Sequence, residues 1–328
     1  MTPREIFRAT LTFRRPPRLA MMLPEPHPHD AVHGGRGQGQ KVSLQPQGNE
    51  LTRWRDEWGV TWASLTDFDK GEVVEGAIPD WSALDQWHPP RLGDPADYAD
   101  TKRWFSENPD LFRIGHMPGF TFNIARKLRK LDNYLCDLVL ERENIDRLHA
   151  KVRAALLENI EQLAAAGADA VMFPEDWGTQ DRLMVSPQMW RDIFKPEFDA
   201  LAGRARELGM FVIMHSCGKM TAVIEDMIEC GVSCFQFDQP RLHGIEELSE
   251  RFGGRASFWC PVDIQRTLQS GDEQAIRAEA KLLVEKLGCF GGGFIAGAYP
   301  SPRAIGITPE IQDIASRAFV ECADSGTS

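Results

Sequence analysis

The chain has 328 residues, 42% of them hydrophobic and 26% charged, enough to bury the core of one large α/β domain or two small ones. Its formal net charge of −11 argues against broad binding to nucleic acid or anionic membranes, which requires basic surfaces. Seven cysteines without the spacing of a small disulfide scaffold, no leader segment and no apolar run of about 18 residues predict a reduced, cytoplasmic protein.

Pro3 to Leu11 reads as a helix and Arg18 to Leu23 as a first strand. Residues 24–47 turn to Pro, His, Gly and Gln and are expected to form a mobile loop holding His27, His29 and His33. Residues 56–62 and 71–76 look extended, with a turn around Asp67 to Lys70, and suggest a hairpin outside the main pattern. Residues 77–110 are irregular with one short helix, and Leu111 to His116 is again a strand.

From residue 143 the pattern becomes regular. Ile145, Leu148, Val152, Leu156, Ile160 and Leu163 recur every three or four positions, one face of a long helix. A strand at 170–173 precedes a helix opened by Ser186-Pro187 and carrying Trp190 to Leu201. Strands at 210–215, 232–237, 256–260 and 292–296 then alternate with helices at 219–229, 244–252, 272–287 and from Thr308-Pro309 onward. Such apolar strands, each followed by a helix, indicate a parallel sheet covered by helices. Seven strands are clear and an eighth is expected among the less regular elements. The fold class expected is a (β/α)8 barrel with an N-terminal extension and an inserted hairpin, one domain over residues 1–328. A doubly wound sheet is the alternative, weakened because no Gly-x-Gly-x-x-Gly follows the first strand.

In a barrel of this kind, functional residues collect at the carboxyl ends of the strands. Those ends carry His116, Glu175-Asp176-Trp-Gly-Thr-Gln180, His215-Ser-Cys217, Gln236-Phe-Asp238, Trp259-Cys260-Pro-Val-Asp263-Ile-Gln265 and Ala298-Tyr299. Residues two apart in a strand share a side, so His215 and Cys217 can grip one ion, and Gly218 allows a sharp turn after them. Cys260 also arrives at a strand end and is expected as the third zinc ligand, leaving a fourth position for substrate, water or Glu175. Glu175 and Asp176 are the candidate catalytic carboxylates, although Asp176 equally suits a turn cap. His116, Gln180, Asp238, Gln265 and Tyr299 are the candidate substrate-binding residues. His243 reads as a surface helix start. Cys230, Cys234, Cys289 and Cys322 sit among apolar neighbours and are expected in the core.

His-Ser-Cys-Gly after a strand resembles the uroporphyrinogen decarboxylase superfamily, particularly its cobamide-dependent methyltransferase branch. Glu175 to Gln180, Ser186-Pro187, Phe258 to Gln265, Gly291 to Ile295 and the opening Met1-Thr-Pro-Arg-Glu5 support the resemblance, in family order. It implies a (β/α)8 barrel and zinc-dependent methyl transfer between a corrinoid and a small thiol or methoxylated substrate. The arginine-rich motif with which the decarboxylases hold substrate carboxylates is absent near Met21-Met-Leu-Pro-Glu25. The methyltransferases add a cysteine after the last Gly-Gly strand, where this chain has Ala298-Tyr299; Cys260 is expected to replace it. No Asp-x-His-x-x-Gly signature is present, so the cobalamin is expected on a partner protein. A homodimer, a metal-independent decarboxylase or lyase of a small anionic substrate, and a non-catalytic barrel subunit stay open as alternatives.

Overall fold

The apolar strands close into a (β/α)8 barrel in the computed structural model, which describes residues 1–37, 41–44, 52–65 and 71–325. Twelve strands are present among them: β1 (Ala20–Met22), β2 (Ala31–Gly35), β3 (Val42–Leu44), β4 (Thr52–Arg55), β5 (Thr61–Ser64), β6 (Glu72–Glu75), β7 (Phe112–His116), β8 (Ala170–Pro174), β9 (Phe211–His215), β10 (Cys234–Gln236), β11 (Ser257–Cys260) and β12 (Phe294–Gly297). Eight form one parallel sheet in the order β1-β12-β11-β10-β9-β8-β7-β2. The seam between β1 and β2 is closed by the segment that joins them. Met22 bridges His29, Asp30 N–H donates to the Met21 carbonyl, and the Asp30 carboxylate accepts from Met21 N–H. Arg18 clamps that carboxylate at 2.6 and 2.8 Å.

The eighth strand is β2, inside the stretch expected to be a loop. Its sequence, Ala-Val-His-Gly-Gly, is short and poor in apolar residues, so pairing with β7 over five residues rather than local propensity makes it a strand. The expected hairpin is part of a second, antiparallel sheet, β3-β4-β5-β6. Asp56 to Gly59 is a turn, not a strand: the Asp56 carboxylate accepts from the N–H groups of Trp58 and Val60, fixing the β4–β5 connection. The turn expected around Asp67 to Lys70 lies outside the described residues.

The long helix Arg142–Ala165 buries the six apolar positions named above. The helix opened by Ser186 is capped by that hydroxyl, which accepts from Met189 N–H, and breaks at Phe194 into Pro187–Ile193 and Lys195–Glu207. Helices Thr121–Leu128 and Leu131–Leu140, called α1 and α2 here, were not anticipated. Period-two alternation divides the barrel into two layers. Ala20, Met22, Ala31, Phe112, Ile114, Ala170, Ile213, Cys234, Trp259 and Ile295 form the interior cluster. Alternate residues such as Val171, Phe173, Val212, Met214, Phe235, Phe258, Cys260 and Ala296 belong to the larger cluster shared with the helices.

Candidate metal centre

The interior rows determine which side chains meet. His215 continues the inward row Phe211, Ile213, and Gln236 continues that of Cys234. At the carboxyl ends of neighbouring strands β8 and β9, Asp176, His215 and Cys217 place one ligand atom each within 4.8 Å of one another. His215 Nε2 lies 3.4 Å from Cys217 Sγ and 3.7 Å from Asp176 Oδ1. Donors around a tetrahedral zinc stand about 3.3–3.6 Å apart, given zinc–sulfur and zinc–nitrogen bonds of about 2.3 and 2.0 Å. The spacing and the thiolate–imidazole–carboxylate chemistry fit zinc, with a fourth position open toward solvent beside the exposed Cys217.

Two loops are zipped together to hold this geometry. Glu175 N–H donates to the His215 carbonyl at 2.8 Å and Lys219 N–H to the Thr179 carbonyl at 2.7 Å. Cys217 N–H donates to Asp176 Oδ1 at 3.0 Å, and Trp177 N–H to the Ser216 hydroxyl at 3.2 Å. Gly178 and Gly218 cross so closely that a Cβ on Gly218, whose φ is +74°, would lie 2.1 Å from the Gly178 oxygen.

Burial works against the Asp176 carboxylate, but His215, the Cys217 N–H and Arg126 together hold it below the usual carboxylate range. Arg126 also binds its Oδ2 at 3.1 Å. His215 Nδ1 is hydrogen bonded to Gln236 Oε1, and Gln236 Nε2 donates to Asp238 Oδ1 at 2.8 Å. The carboxylate fixes which way the amide faces, so its oxygen must accept from Nδ1–H. That tautomer leaves the Nε2 lone pair aimed at Cys217 and Asp176. Gln236 was not among the expected site residues, though its strand-end position and two-residue spacing from Asp238 were visible.

The remaining expectations fare differently. Cys260 is fully buried and belongs to the helix-side layer, one residue out of phase with inward-facing Trp259; it is outside the ligand cluster, with its thiol pushed well up by burial. Asp176, from the adjacent strand, is the residue that stands with His215 and Cys217 instead. Glu175 is also fully buried. Its carboxylate accepts from Phe122 and Asn123 N–H at 3.2 and 2.7 Å, closing the amino end of α1, and burial pushes it up to about 8. Gln180 and Gln265 are exposed. Tyr299 does stand near the centre: burial, then the charges of Asp238 and Cys217, raise its phenol. His116 pairs with His33 on the next two strands, β7 and β2, described below. His243 is buried, stacked 4.1 Å from Phe237, not at the surface. Of the cysteines expected in the core, Cys230 and Cys234 are buried, Cys322 is intermediate and Cys289 is exposed.

A (β/α)8 barrel with a sulfur-, nitrogen- and oxygen-donor cluster at its strand carboxyl ends is thus the class of protein that fold and site define. The chain belongs to the uroporphyrinogen decarboxylase (URO-D) family, whose sequence pattern matches residues 121–325, more than half of its length. Within the superfamily its resemblance is to the corrinoid methyltransferase branch. It is 22% identical over 177 residues to the methylcobamide:CoM methyltransferase MtaA of Methanosarcina barkeri, covering 54% of this chain and 50% of that protein. The MtaA of the Fusaro strain matches to the same extent, so the chain spans about half the length of these curated relatives. The structure of a methyltransferase from Methanosarcina mazei shares the fold, with a TM-score of 0.67 at 17% identity over 100% of both chains. No helix among the described residues is long and apolar enough to cross a membrane.

Proposed function

We propose that this protein is a zinc-dependent methyltransferase that moves a methyl group between a corrinoid on a partner protein and a small thiol or methoxylated substrate. The observation that carries this reading is the convergence of Asp176, His215 and Cys217 on one point at the carboxyl ends of adjacent barrel strands. Zinc bound there would supply Lewis acidity, stabilising an ionised thiol sulfur or drawing electron density from an ether oxygen. The chain's own residues have three tasks. His215, Cys217 and Asp176 hold the ion, and Gln236 keeps the imidazole in the ligating tautomer. Arg126 and the Cys217 N–H keep Asp176 ionised and in place. Tyr299, its phenol kept protonated beside Asp238 and Cys217, is positioned to hydrogen bond to the substrate atom that loses or gains a proton. The barrel mouth leaves access for a carrier protein, and the whole chain, residues 1–328, is proposed to act as one barrel unit.

Metal content of the purified protein tests this. About one zinc per chain is expected, lost in Cys217→Ser and His215→Ala, together with chelator-sensitive demethylation of methylcobalamin by a small thiol. Zinc retained in both variants, or methyl transfer indifferent to chelation, would refute the reading.

A further inference from the structure

On β7 and β2, the two strands that follow β8 round the barrel, two histidines share a hydrogen bond at the barrel mouth. His33 Nδ1 lies 2.6 Å from His116 Nε2, with the rings stacked at 4.8 Å. They continue the inward rows of β2 and β7, after Ala31 and after Phe112 and Ile114, and His33 lies 6.3 Å from the Trp259 ring on β11 and from His29. Burial, then the neighbouring histidines, lowers His33 to about 3, and burial also lowers His116, so both rings are neutral at pH 7. No arginine, lysine or carboxylate bonds either ring among the described residues. The outer nitrogens, His33 Nε2 and His116 Nδ1, have no partner there, and neither does the Trp259 indole N–H, which passes over Gly297.

Proton counting defines what this group can bind. The pair holds two ring protons, one of them between the rings. If His33 Nδ1 donates inward, His116 Nδ1 carries the outer N–H and His33 Nε2 the outer lone pair; the other tautomer reverses both. One outer donor and one outer acceptor therefore exist in either state. That matches a hydroxyl, which both donates and accepts. A carboxylate offers only acceptors and would bring an uncompensated charge beside neutral rings.

We propose that His33 and His116, with Trp259 beside them, form a seat for a neutral hydroxyl group, phenolic or alcoholic, of a small molecule entering the barrel. This deepens the proposed function by naming a substrate class, and it rests on that reading only in taking the barrel mouth as the substrate's entrance.

The test uses the full chain labelled with 15N-histidine. A nitrogen–nitrogen coupling across the hydrogen bond should join His33 and His116, and phenol should shift both resonances saturably while benzoate does not. His33→Phe and His116→Asn should each weaken phenol binding about tenfold or more without changing zinc content. His116 is the last residue of β7, at the barrel mouth, so His116→Asn alone decides the matter should His33→Phe fold poorly. Phenol shifts that survive in His116→Asn, tighter binding of benzoate, or no response to phenol would overturn the proposal. Zinc content separates the two ideas: loss of the metal assignment with phenol binding intact would sink the methyltransferase reading alone.

Discussion

Asp238, Gln236 and His215 form a chain of constraint in which each side chain removes one freedom from the next. Gln236→Leu should free the imidazole to take either tautomer and weaken zinc binding about 10- to 100-fold in chelator competition. Asp238→Ala should have a smaller effect in the same direction, because the amide can then flip but need not. Unchanged affinity in both would mean the bonds merely accompany the site. Cys260→Ala should retain zinc and cost about 1 kcal/mol in denaturant unfolding, as for a small buried apolar group. The placement of Cys260 on the helix side was not legible for a physical reason. All four residues of β11 are buried, so hydrophobicity along that strand gives no phase, and phase decides whether Trp259 or Cys260 faces inward. In β9 the polar His215 ends the strand and marks the phase, which is why the His-x-Cys pair was legible.

Among the elements, α1 and α2 escaped notice because the signals that start α1 are not local. Its N-cap position, Phe120, has no side chain able to cap; Glu175, more than fifty residues away, receives those N–H groups instead. Glu175→Ala should therefore lower unfolding stability by about 1–3 kcal/mol, the range for orphaned buried donors, while zinc content stays near wild type. A large loss of methyl transfer with stability unchanged would restore a catalytic role. The crossing of the β8 and β9 loops makes an equally local demand. Gly218→Ala places a methyl group against the Gly178 carbonyl at a left-handed φ, and should cost about 1–3 kcal/mol and weaken zinc binding by separating Asp176 from Cys217. The barrel strands, by contrast, were largely readable, because each apolar run was bounded by turn residues; β2, too short and polar, needed its partner to be seen, and β3 and β4 of the second sheet were likewise not anticipated.

For the whole molecule, pH acts through histidines buried without charge. His149, hydrogen bonded to Tyr134, and His243 are each lowered to about 3 by burial. Between that value and the ordinary 6.5, the unfolded chain takes up protons that the folded chain refuses, so stability is lost as pH falls from about 6.5 toward 3. Each residue contributes up to about 1.4 kcal/mol per pH unit inside that window. Melting temperature should drop between pH 7 and pH 5, and His149→Gln should flatten the drop relative to wild type. Parallel curves for the two proteins would show that His149 is not responsible.

The barrel's closure has a mechanical corollary. β1 and β2 meet only through the short return segment between them, whereas β9 stands three strands from β2 and four from β1 along an unbroken ladder. Transient opening should begin at that junction, where the fewest backbone bonds must part. Amide exchange should then be fastest in β1 and β2, reaching His33, and slowest in β9. β9, which carries His215, is thereby on the stiff side of the cylinder, and the junction of β1 and β2 can breathe. Such a division would let the protein accommodate differently shaped guests while the spacing of its ligand atoms stays fixed.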